Sequence, residues 1–434
     1  MNSVVDEPVY FLDFVDQLVL SAIASNRTSF NEIVLSLPGV YPSVVLSSLQ
    51  RLVSIGKVPF PILANAVRWT RTRQKLQTSQ RRHIALPIPH PLDYDWRFSN
   101  AATMRLLNEG LTVTHPGDSI ALLGAPSVLR MAIECGYPRQ LLLLDANPLI
   151  VRCLGKEASK AQVVCCDLLR DPLLEFSAAA VMVDPPWYDD YIQAFFWVGC
   201  YLCTVGGYLL VSIPPLGTRP NMERERTQML NWTQRMGLSL VRIEPAALSY
   251  RLPPFERNAL KAEGLSVVPA EWRRGDLAVF MRTHEVHTPR PMVPTQEGEW
   301  VEEELHGIRI RLRCTERSRF EDPSLISMVP GDVLPSVSRR DQRRRLVDVW
   351  TSGNRVFACR GLSILQTIVR ALADEQPPHE AVAVELRRRL TVEEAGLVSR
   401  AARQVEQVVS LERGEQVFWE EELDDAKLAL ASSE

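Results

Sequence analysis

Residues 178–187 read Ala178-Ala179-Ala180-Val181-Met182-Val183-Asp184-Pro185-Pro186-Trp187, an apolar run that ends in an acid, two prolines and an aromatic residue. The apolar run predicts a buried strand of the kind found in parallel sheets. Proline donates no backbone hydrogen bond, so the strand must end near Asp184. Open α/β sheets bind their ligands just beyond the carboxyl ends of the strands, which makes this turn a candidate site.

The first apolar run of the same region, residues 119–123, is followed by a turn of small residues, Gly124-Ala125-Pro126-Ser127. Small residues let the backbone approach a ligand closely. The turn has neither the Gly-x-Gly-x-x-Gly pattern nor a lysine that could hold a phosphate, and this argues against NAD and ATP.

Two further apolar runs end in an acid. Asp145 follows residues 140–144, about 20 residues after the small-residue turn, where nucleotide-binding sheets place a carboxylate for ribose hydroxyls. Asp167 follows residues 162–166 and is placed to accept a hydrogen bond from an adenine amino group. Either acid alone could simply cap its strand, but the ordered set of sites indicates a nucleoside cofactor. From about 93 to 284 apolar runs alternate with helical stretches, which predicts an α/β domain with helices on both faces of a parallel sheet.

The turn at 184–187 resembles motif IV of the class I S-adenosylmethionine-dependent amino-methyltransferases, the family that includes the adenine-specific nucleic-acid enzymes. In that family the acid and the first proline carbonyl accept hydrogen bonds from the target amine, and the aromatic residue stacks on the base. These roles fall on Asp184, Pro185 and Trp187, with Pro186 completing the catalytic turn and Tyr188 as a candidate substrate contact. The resemblance implies a Rossmann-like class I methyltransferase fold and S-adenosylmethionine as cofactor, and the expected cofactor-binding residues are Gly124, Ala125, Pro126, Ser127, Asp145 and Asp167. The implied activity is N-methylation, with the exocyclic amine of adenine in nucleic acid as the leading target.

Two narrower resemblances and a third possibility stay open. Ala125-Pro126-Ser127-Val128 together with the 184–187 turn looks like the enzymes that methylate lysine in a translation elongation factor. The order of elements and the 272–281 segment look like the branched-chain polyamine synthases, which transfer aminopropyl groups and carry an acidic Gly-Asp-Asp-Asp turn where this chain has the small-residue turn. A catalytically degenerate core that serves as a nucleic-acid or protein binding module is the third.

Residues 1–62 show a winged-helix pattern, with three short helices predicted at 11–24, 29–37 and 42–55. Ser29 and Glu32 have the spacing of a capping box. A winged helix could place residues 41–57 in a DNA groove. The helix predicted at 42–55, however, has Arg51 as its only basic side chain, and phosphate binding needs cations. A packing or dimerisation module, with a possible homodimer, is the alternative interpretation.

Residues 63–92 form a basic and proline-rich linker. Its cations are Arg68, Arg71, Arg73, Lys75, Arg81 and Arg82. Arg71, Arg73 and Lys75 are candidate contacts to the phosphates of DNA or RNA, and a solvated cationic linker is the equally weighted alternative. Three prolines between 86 and 92 exclude a helix there.

Residues 285–434 are expected to form a C-terminal region with a small β part, including a strand near 307–313, followed by helices at 363–372 and 381–411.

The chain has 434 residues, 46% apolar and 23% charged, so it can bury several cores. Its net charge of −3 gives no global attraction to nucleic acid or membrane. No signal peptide or membrane span is recognisable, eight scattered cysteines suit a reducing compartment, and no set of residues has metal-ligand spacing, so a cytoplasmic protein without a metal site is expected.

Overall fold

The computed structural model describes residues 7–59, 84–265, 268–292, 298–315 and 319–431, with side chains between 10 and 416. Within these residues no helix is both long and apolar enough to cross a bilayer.

Three helices open the described chain: α1 (Glu7–Ala24), α2 (Phe30–Ser36) and α3 (Pro42–Ser54). Ser29 and Glu32 form the expected capping box at the start of α2. The apolar face of α3 is buried against the rest of the molecule, with Trp272 in the same cluster. Arg51 pairs with Asp16 of α1 at 2.6 Å, so the cation expected to face DNA is engaged within the helical unit. The three helices agree with the sequence pattern. Residues 60–62, at the end of the expected winged-helix segment, lie outside the described residues.

A seven-stranded sheet with the strand order β3-β2-β1-β4-β5-β7-β6 forms the middle of the chain. Its strands are β1 (Ser119–Leu123), β2 (Gln140–Asp145), β3 (Ala161–Cys165), β4 (Ala178–Val183), β5 (Cys203–Ile213), β6 (Leu238–Ser249) and β7 (Arg274–Arg282). Strands β1 to β5 pair in parallel, and β7 inserts antiparallel between β5 and β6. The parallel strands confirm the predicted sheet, and the arrangement is the Rossmann-like fold that the resemblance implies, whereas the antiparallel direction of β7 was not predicted because an apolar run does not reveal strand direction.

Helices cover both faces of this sheet, and each face has its own buried apolar cluster. The helices are α4 (Asn100–Thr112), α5 (Pro126–Cys135), α6 (Pro148–Glu157), α7 (Asp189–Leu202), α8 (Met222–Arg235) and α9 (Pro254–Ala262). Residues 84–98 run along the domain as a strap, with Ile84 and Phe98 in its core. The described end of the expected linker is thus packed against the Rossmann-like domain.

The C-terminal domain contains a second, antiparallel sheet with the order β10-β12-β11-β9-β8. Its strands are β8 (Trp300–Leu305), β9 (Ile308–Arg313), β10 (Ile326–Ser327), β11 (Val349–Thr351) and β12 (Val356–Ala358). Helices α10 (Leu362–Ala373), α11 (Pro378–Leu386) and α12 (Val392–Ala431) follow, and residues from all three complete its apolar core.

The helix expected at 381–411 is two helices, which corrects that prediction. The chain takes a left-handed conformation at Arg387, with φ of 54°, and this ends α11. Thr391 and Glu394 then exchange side-chain and backbone hydrogen bonds at the start of α12. Such a capping box satisfies the free N–H groups of a new helix.

Candidate active site

A cavity of about 550 Å³ opens at the carboxyl ends of β1, β2 and β4. Its walls come from three parts of the chain, because Tyr41 of the N-terminal helices and Arg340 of the C-terminal domain line it together with the sheet. The strap also contributes, through residues 91–96. The cavity is therefore lined by the N-terminal helices, the Rossmann-like domain with its strap, and the C-terminal domain together.

The small-residue turn lies beside the end of β4. Gly124 has a φ of +60°, and a Cβ atom there would lie 3.0 Å from the Phe195 ring and 3.2 Å from the Asp184 carbonyl oxygen. Glycine is therefore required at this position. Gly124 and Pro126 line the cavity, whereas Ala125 and Ser127 are buried and do not. Direct cofactor contact by those two side chains is thus not supported.

The acids after β2 and β3 both line the cavity. Asp145 is 9% exposed, and one of its oxygens accepts the backbone N–H of Asn147 at 2.8 Å. Burial raises the pKa of Asp145 to about 7, because few groups compensate its charge. Asp167 is more open and accepts the backbone N–H of Leu169 at 2.9 Å. Each acid therefore has acceptor capacity left for a ligand.

Asp184 is held by a tyrosine that the sequence did not reveal. The Tyr250 hydroxyl, just after β6, donates to Oδ1 of Asp184 at 2.5 Å and lies 2.6 Å from the Ser212 hydroxyl. Burial raises the pKa of Asp184 to about 8, and the Tyr250 hydrogen bond opposes that rise. A carboxyl group poised near neutral pH is typical of catalytic sites. Pro185 and Pro186 line the cavity beside it.

Trp187 lines the cavity but presents little surface, since it is 6% exposed. The Arg273 guanidinium carbon lies 4.1 Å from the centre of its ring and 4.2 Å from the ring of Trp96, so the cation is held between two tryptophans. Tyr250 approaches Trp187 at 86°. The expected stacking of Trp187 on a base is therefore not favoured, because a cation of the protein already covers one face of the ring.

Tyr188, the candidate substrate contact, belongs to a group of three tyrosines in the cavity wall. Its ring centre lies 5.6 Å from that of Tyr94 and 6.4 Å from that of Tyr191. All three residues line the cavity. The phenolic oxygen of Tyr188 accepts the backbone N–H of Arg339 at 3.0 Å, and this hydrogen bond connects the motif to the C-terminal domain.

Glu256 of α9 is a second buried acid in the cavity wall. It is 1% exposed, and neither carboxylate oxygen has a hydrogen-bond partner within normal distance among the described residues. Burial raises its pKa to about 7, while interaction with the Tyr41 hydroxyl and the charge of Arg273 opposes the rise. A buried acid that faces a cavity with so few partners suits a ligand with a cationic or hydrogen-bond-donating group.

The structure brings together nearly all of the predicted site residues from 124 to 188, apart from the two buried members of the turn. Arg71, Arg73 and Lys75 lie outside the described residues. The sequence analysis missed Tyr250, Glu256 and Arg273. Tyr250 and Arg273 flank β6 and β7, so their positions at strand ends were the available signal.

Comparison with known proteins supports the fold. No protein-family profile and no curated protein sequence matches the chain. The branched-chain polyamine synthase of Thermus thermophilus, solved with N4-aminopropylspermidine and 5'-methylthioadenosine, is similar in structure with a TM-score of 0.50 and 15% identity over 65% of this chain and 91% of that chain. A TehB-like SAM-dependent methyltransferase from Corynebacterium glutamicum matches with a TM-score of 0.30 and 14% identity over 43% of this chain and 89% of that one. The similarity to the polyamine synthase supports the Rossmann-like fold, and in this chain a C-terminal domain is joined to that fold and also lines the site.

Proposed function

We propose that the protein is an S-adenosylmethionine-dependent methyltransferase acting on an amino nitrogen. The observation that carries this proposal is the position of Asp184, which ends β4 in a cavity shared with the Gly124 turn and is held by Tyr250 at 2.5 Å. An acceptor oxygen fixed beside a nucleoside-type site is the arrangement that amine transfer needs.

The residues of the cavity fit the cofactor. Gly124 lets the turn pass close to Phe195 and the Asp184 carbonyl at the cavity wall, and Asp145 is a buried acid with one oxygen to spare. These two groups and Asp167 would hold the nucleoside. When bound, S-adenosylmethionine supplies a methyl group on a sulfonium, and transfer forms a nitrogen–carbon bond while the carbon–sulfur bond breaks and leaves its electron pair on sulfur.

The side chain of Asp184 and the carbonyl of Pro185 accept hydrogen bonds from the acceptor amine and orient its lone pair. An aliphatic amine enters as an ammonium and must lose a proton before it can attack. Asp184 receives this proton, because its pKa of about 8 is close enough to neutral pH for the carboxyl group to gain and lose a proton. Tyr250 keeps the carboxyl group oriented and favours its charged form.

The geometry favours an aliphatic amine as the acceptor. Half-buried Asp184 and buried Glu256 place two acids in the wall of one cavity, with Arg273 as the protein cation between them, and this cation covers one face of the Trp187 ring. Adenine in nucleic acid is the second candidate, supported by the resemblance of the Asp184–Trp187 turn to the adenine-specific enzymes. The two differ in pH dependence, because transfer to adenine should level off above the pKa of Asp184, whereas transfer to an aliphatic amine should keep rising toward the pKa of that amine.

Labelled cofactor tests the proposal. We would measure methyl transfer to spermidine, free lysine, total protein, RNA and DNA, and binding of S-adenosylhomocysteine by calorimetry. Asp184→Asn should lower transfer by roughly 100-fold or more while it leaves cofactor affinity intact. Asp189→Asn is the matched control, since Asp189 is an exposed acid that does not line the cavity. Full activity of Asp184→Asn, or no cofactor binding by the wild type at millimolar concentration, would refute the assignment.

A nucleic-acid partner is a separate proposal that concerns the basic segment. If Arg71, Arg73 and Lys75 contact phosphates, changing all three to serine should flatten the salt dependence of RNA or DNA binding by up to about three logarithmic units per decade of salt. An unchanged slope would leave the segment as a solvated linker.

A further inference from the structure

We infer that residues 336–340 of the C-terminal domain form a wall of the acceptor site, and that Arg339 is the positioning residue that holds this wall in place. The inference deepens the proposed function and rests on it for the identity of the ligand as an amine acceptor. Ser336, Val337, Ser338 and Arg340 all line the cavity. The cofactor candidates, in contrast, all belong to the Rossmann-like domain.

Arg339 joins this segment to the end of the catalytic motif. Its Nη1 donates to Oδ2 of Asp190 at 2.7 Å, and its Nη2 donates to Oδ1 at 2.9 Å. Its backbone N–H donates to the Tyr188 hydroxyl at 3.0 Å. One residue therefore makes a two-point ion pair and a main-chain hydrogen bond to the first turn of α7 and the residue before it. Two parallel bonds fix the direction as well as the distance of a contact.

The same guanidinium group packs on aromatic rings. The Arg339 guanidinium carbon lies 4.5 Å from the ring centre of Tyr188 and 5.6 Å from that of Tyr191. A cage of tyrosines can bind an external cation, but here a cation of the C-terminal domain lies on the rings. The acids Asp184 and Glu256, which also line the cavity, are then the groups left to bind an acceptor cation. Lysine cannot replace this planar, forked and stacked group.

The segment is also fixed from the side of the C-terminal domain. Arg344 is fully buried and donates to the carbonyl of Val337 at 2.7 Å. Its guanidinium carbon lies 4.6 Å from the ring centre of Trp350 in β11 and 5.7 Å from that of Tyr94 in the strap. The wall is therefore held at both ends, by Arg344 against its own domain and by Arg339 against the catalytic domain.

This arrangement separates acceptor binding from cofactor binding. Loss of the Arg339 contacts should loosen the wall and Tyr188, both of which line the cavity and lie apart in sequence from the cofactor candidates. It should not change the Gly124 turn or Asp145. We expect Arg339→Ala to raise the KM for the acceptor about tenfold or more, with a smaller fall in kcat and with the affinity for S-adenosylhomocysteine within about twofold of wild type.

Arg343→Ala is the matched control, because Arg343 lies in the same basic stretch but its backbone N–H and guanidinium group donate to Asp341 in its own loop. Arg339→Lys keeps the charge and should recover only part of the lost acceptor affinity. Asp190→Ala should raise the KM much as Arg339→Ala does, and the double variant should be no worse than either single one. The acceptor used is whichever of spermidine, free lysine and adenosine the wild type methylates fastest.

Amide hydrogen exchange provides a readout that does not depend on activity. Exchange at residues 188–192 and 336–341 should accelerate in Arg339→Ala and stay unchanged in Arg343→Ala. Unchanged exchange, or an acceptor KM equal to that of an active wild type, would overturn the inference. A wild type that binds S-adenosylhomocysteine but transfers no methyl group to any acceptor would refute the proposed function instead, and the exchange rates would still decide whether Arg339 holds the wall.

Discussion

Tyr250→Phe isolates the hydrogen bond that sets the charge of Asp184. The substitution removes only the hydroxyl group, and the ring remains stacked on Phe98 with centres 4.7 Å apart. The Tyr250 hydroxyl donates to Asp184 at 2.5 Å and favours its charged form. A hydrogen bond to a charged group contributes about 1.5–3 kcal/mol, and one pKa unit corresponds to about 1.4 kcal/mol. The pKa of Asp184 should therefore rise by roughly one to two units in the variant.

The rate of transfer should be proportional to the ionised fraction of Asp184, which increases as the pH rises through its pKa, and with an aliphatic acceptor the deprotonation of the amine adds a further rise at higher pH. In the wild type this midpoint lies at about 8. In Tyr250→Phe it should move to roughly 9–10, so that kcat/KM at pH 7.5 falls about 10- to 100-fold and recovers in more alkaline buffer. Initial rates with labelled cofactor between pH 6 and 10 measure the midpoint, and Ser212→Ala, which leaves the contact between Tyr250 and Asp184 in place, is the control. A loss of activity that is equal at every pH would refute this account of Tyr250.

Three other predictions concern cofactor binding, pH-dependent stability and the junction of the domains. Asp145→Ala should weaken S-adenosylhomocysteine binding by roughly tenfold or more, since a buried acceptor is lost, and calorimetry would show an unchanged affinity if the ribose lies elsewhere. Burial raises the pKa of Glu412 to about 7, so Glu412 binds a proton more tightly in the folded protein than in the unfolded chain. The stability that this proton contributes is lost as the pH rises from about 4 to 7. Glu412→Gln should therefore make the free energy of unfolding, measured in urea, less dependent on pH across that window. Arg309 is 1% exposed and pairs with Asp93 at 2.7 Å, so Arg309→Ala should cost about 3–5 kcal/mol of stability, and a change below about 1 kcal/mol would mean that Arg311 compensates for it.

Most of the sheet could be predicted from sequence because its central strands are short apolar runs, and the site at its edge follows from the residues that end those runs. Asp145, Asp167 and Asp184 were identified by this rule. The N-terminal helices were predicted equally well, since their caps and apolar periodicity are local signals. The break between α11 and α12 was missed although Thr391 and Glu394 have the spacing of a capping box. Continuous helical periodicity concealed it.

The rest of the site could not be predicted because its partners are distant in sequence. Arg273 lies between Trp96 and Trp187, and no local pattern shows which rings a buried arginine will contact. Glu256 lies on a short amphipathic helix, where an acid is usually solvated, and only the packing of Tyr41 and the sheet around it makes it buried. Arg339 is one of several arginines in a basic stretch, and its selection by Asp190 depends on how two domains dock.

The composition of the cavity wall also has a consequence for the order of events during synthesis. Tyr41 and Arg340 line the same space, so the cavity cannot be complete until the segment that contains Arg340 has left the ribosome. Local helices and the parallel sheet can form earlier. Contacts between residues as far apart as Tyr41 and Arg340 form late, because the intervening chain must lose conformational entropy before these contacts can form. A nascent chain that has folded its central sheet therefore lacks one side of the chamber and should not sequester an acceptor. The newly made protein would have a complete cavity only near the end of translation.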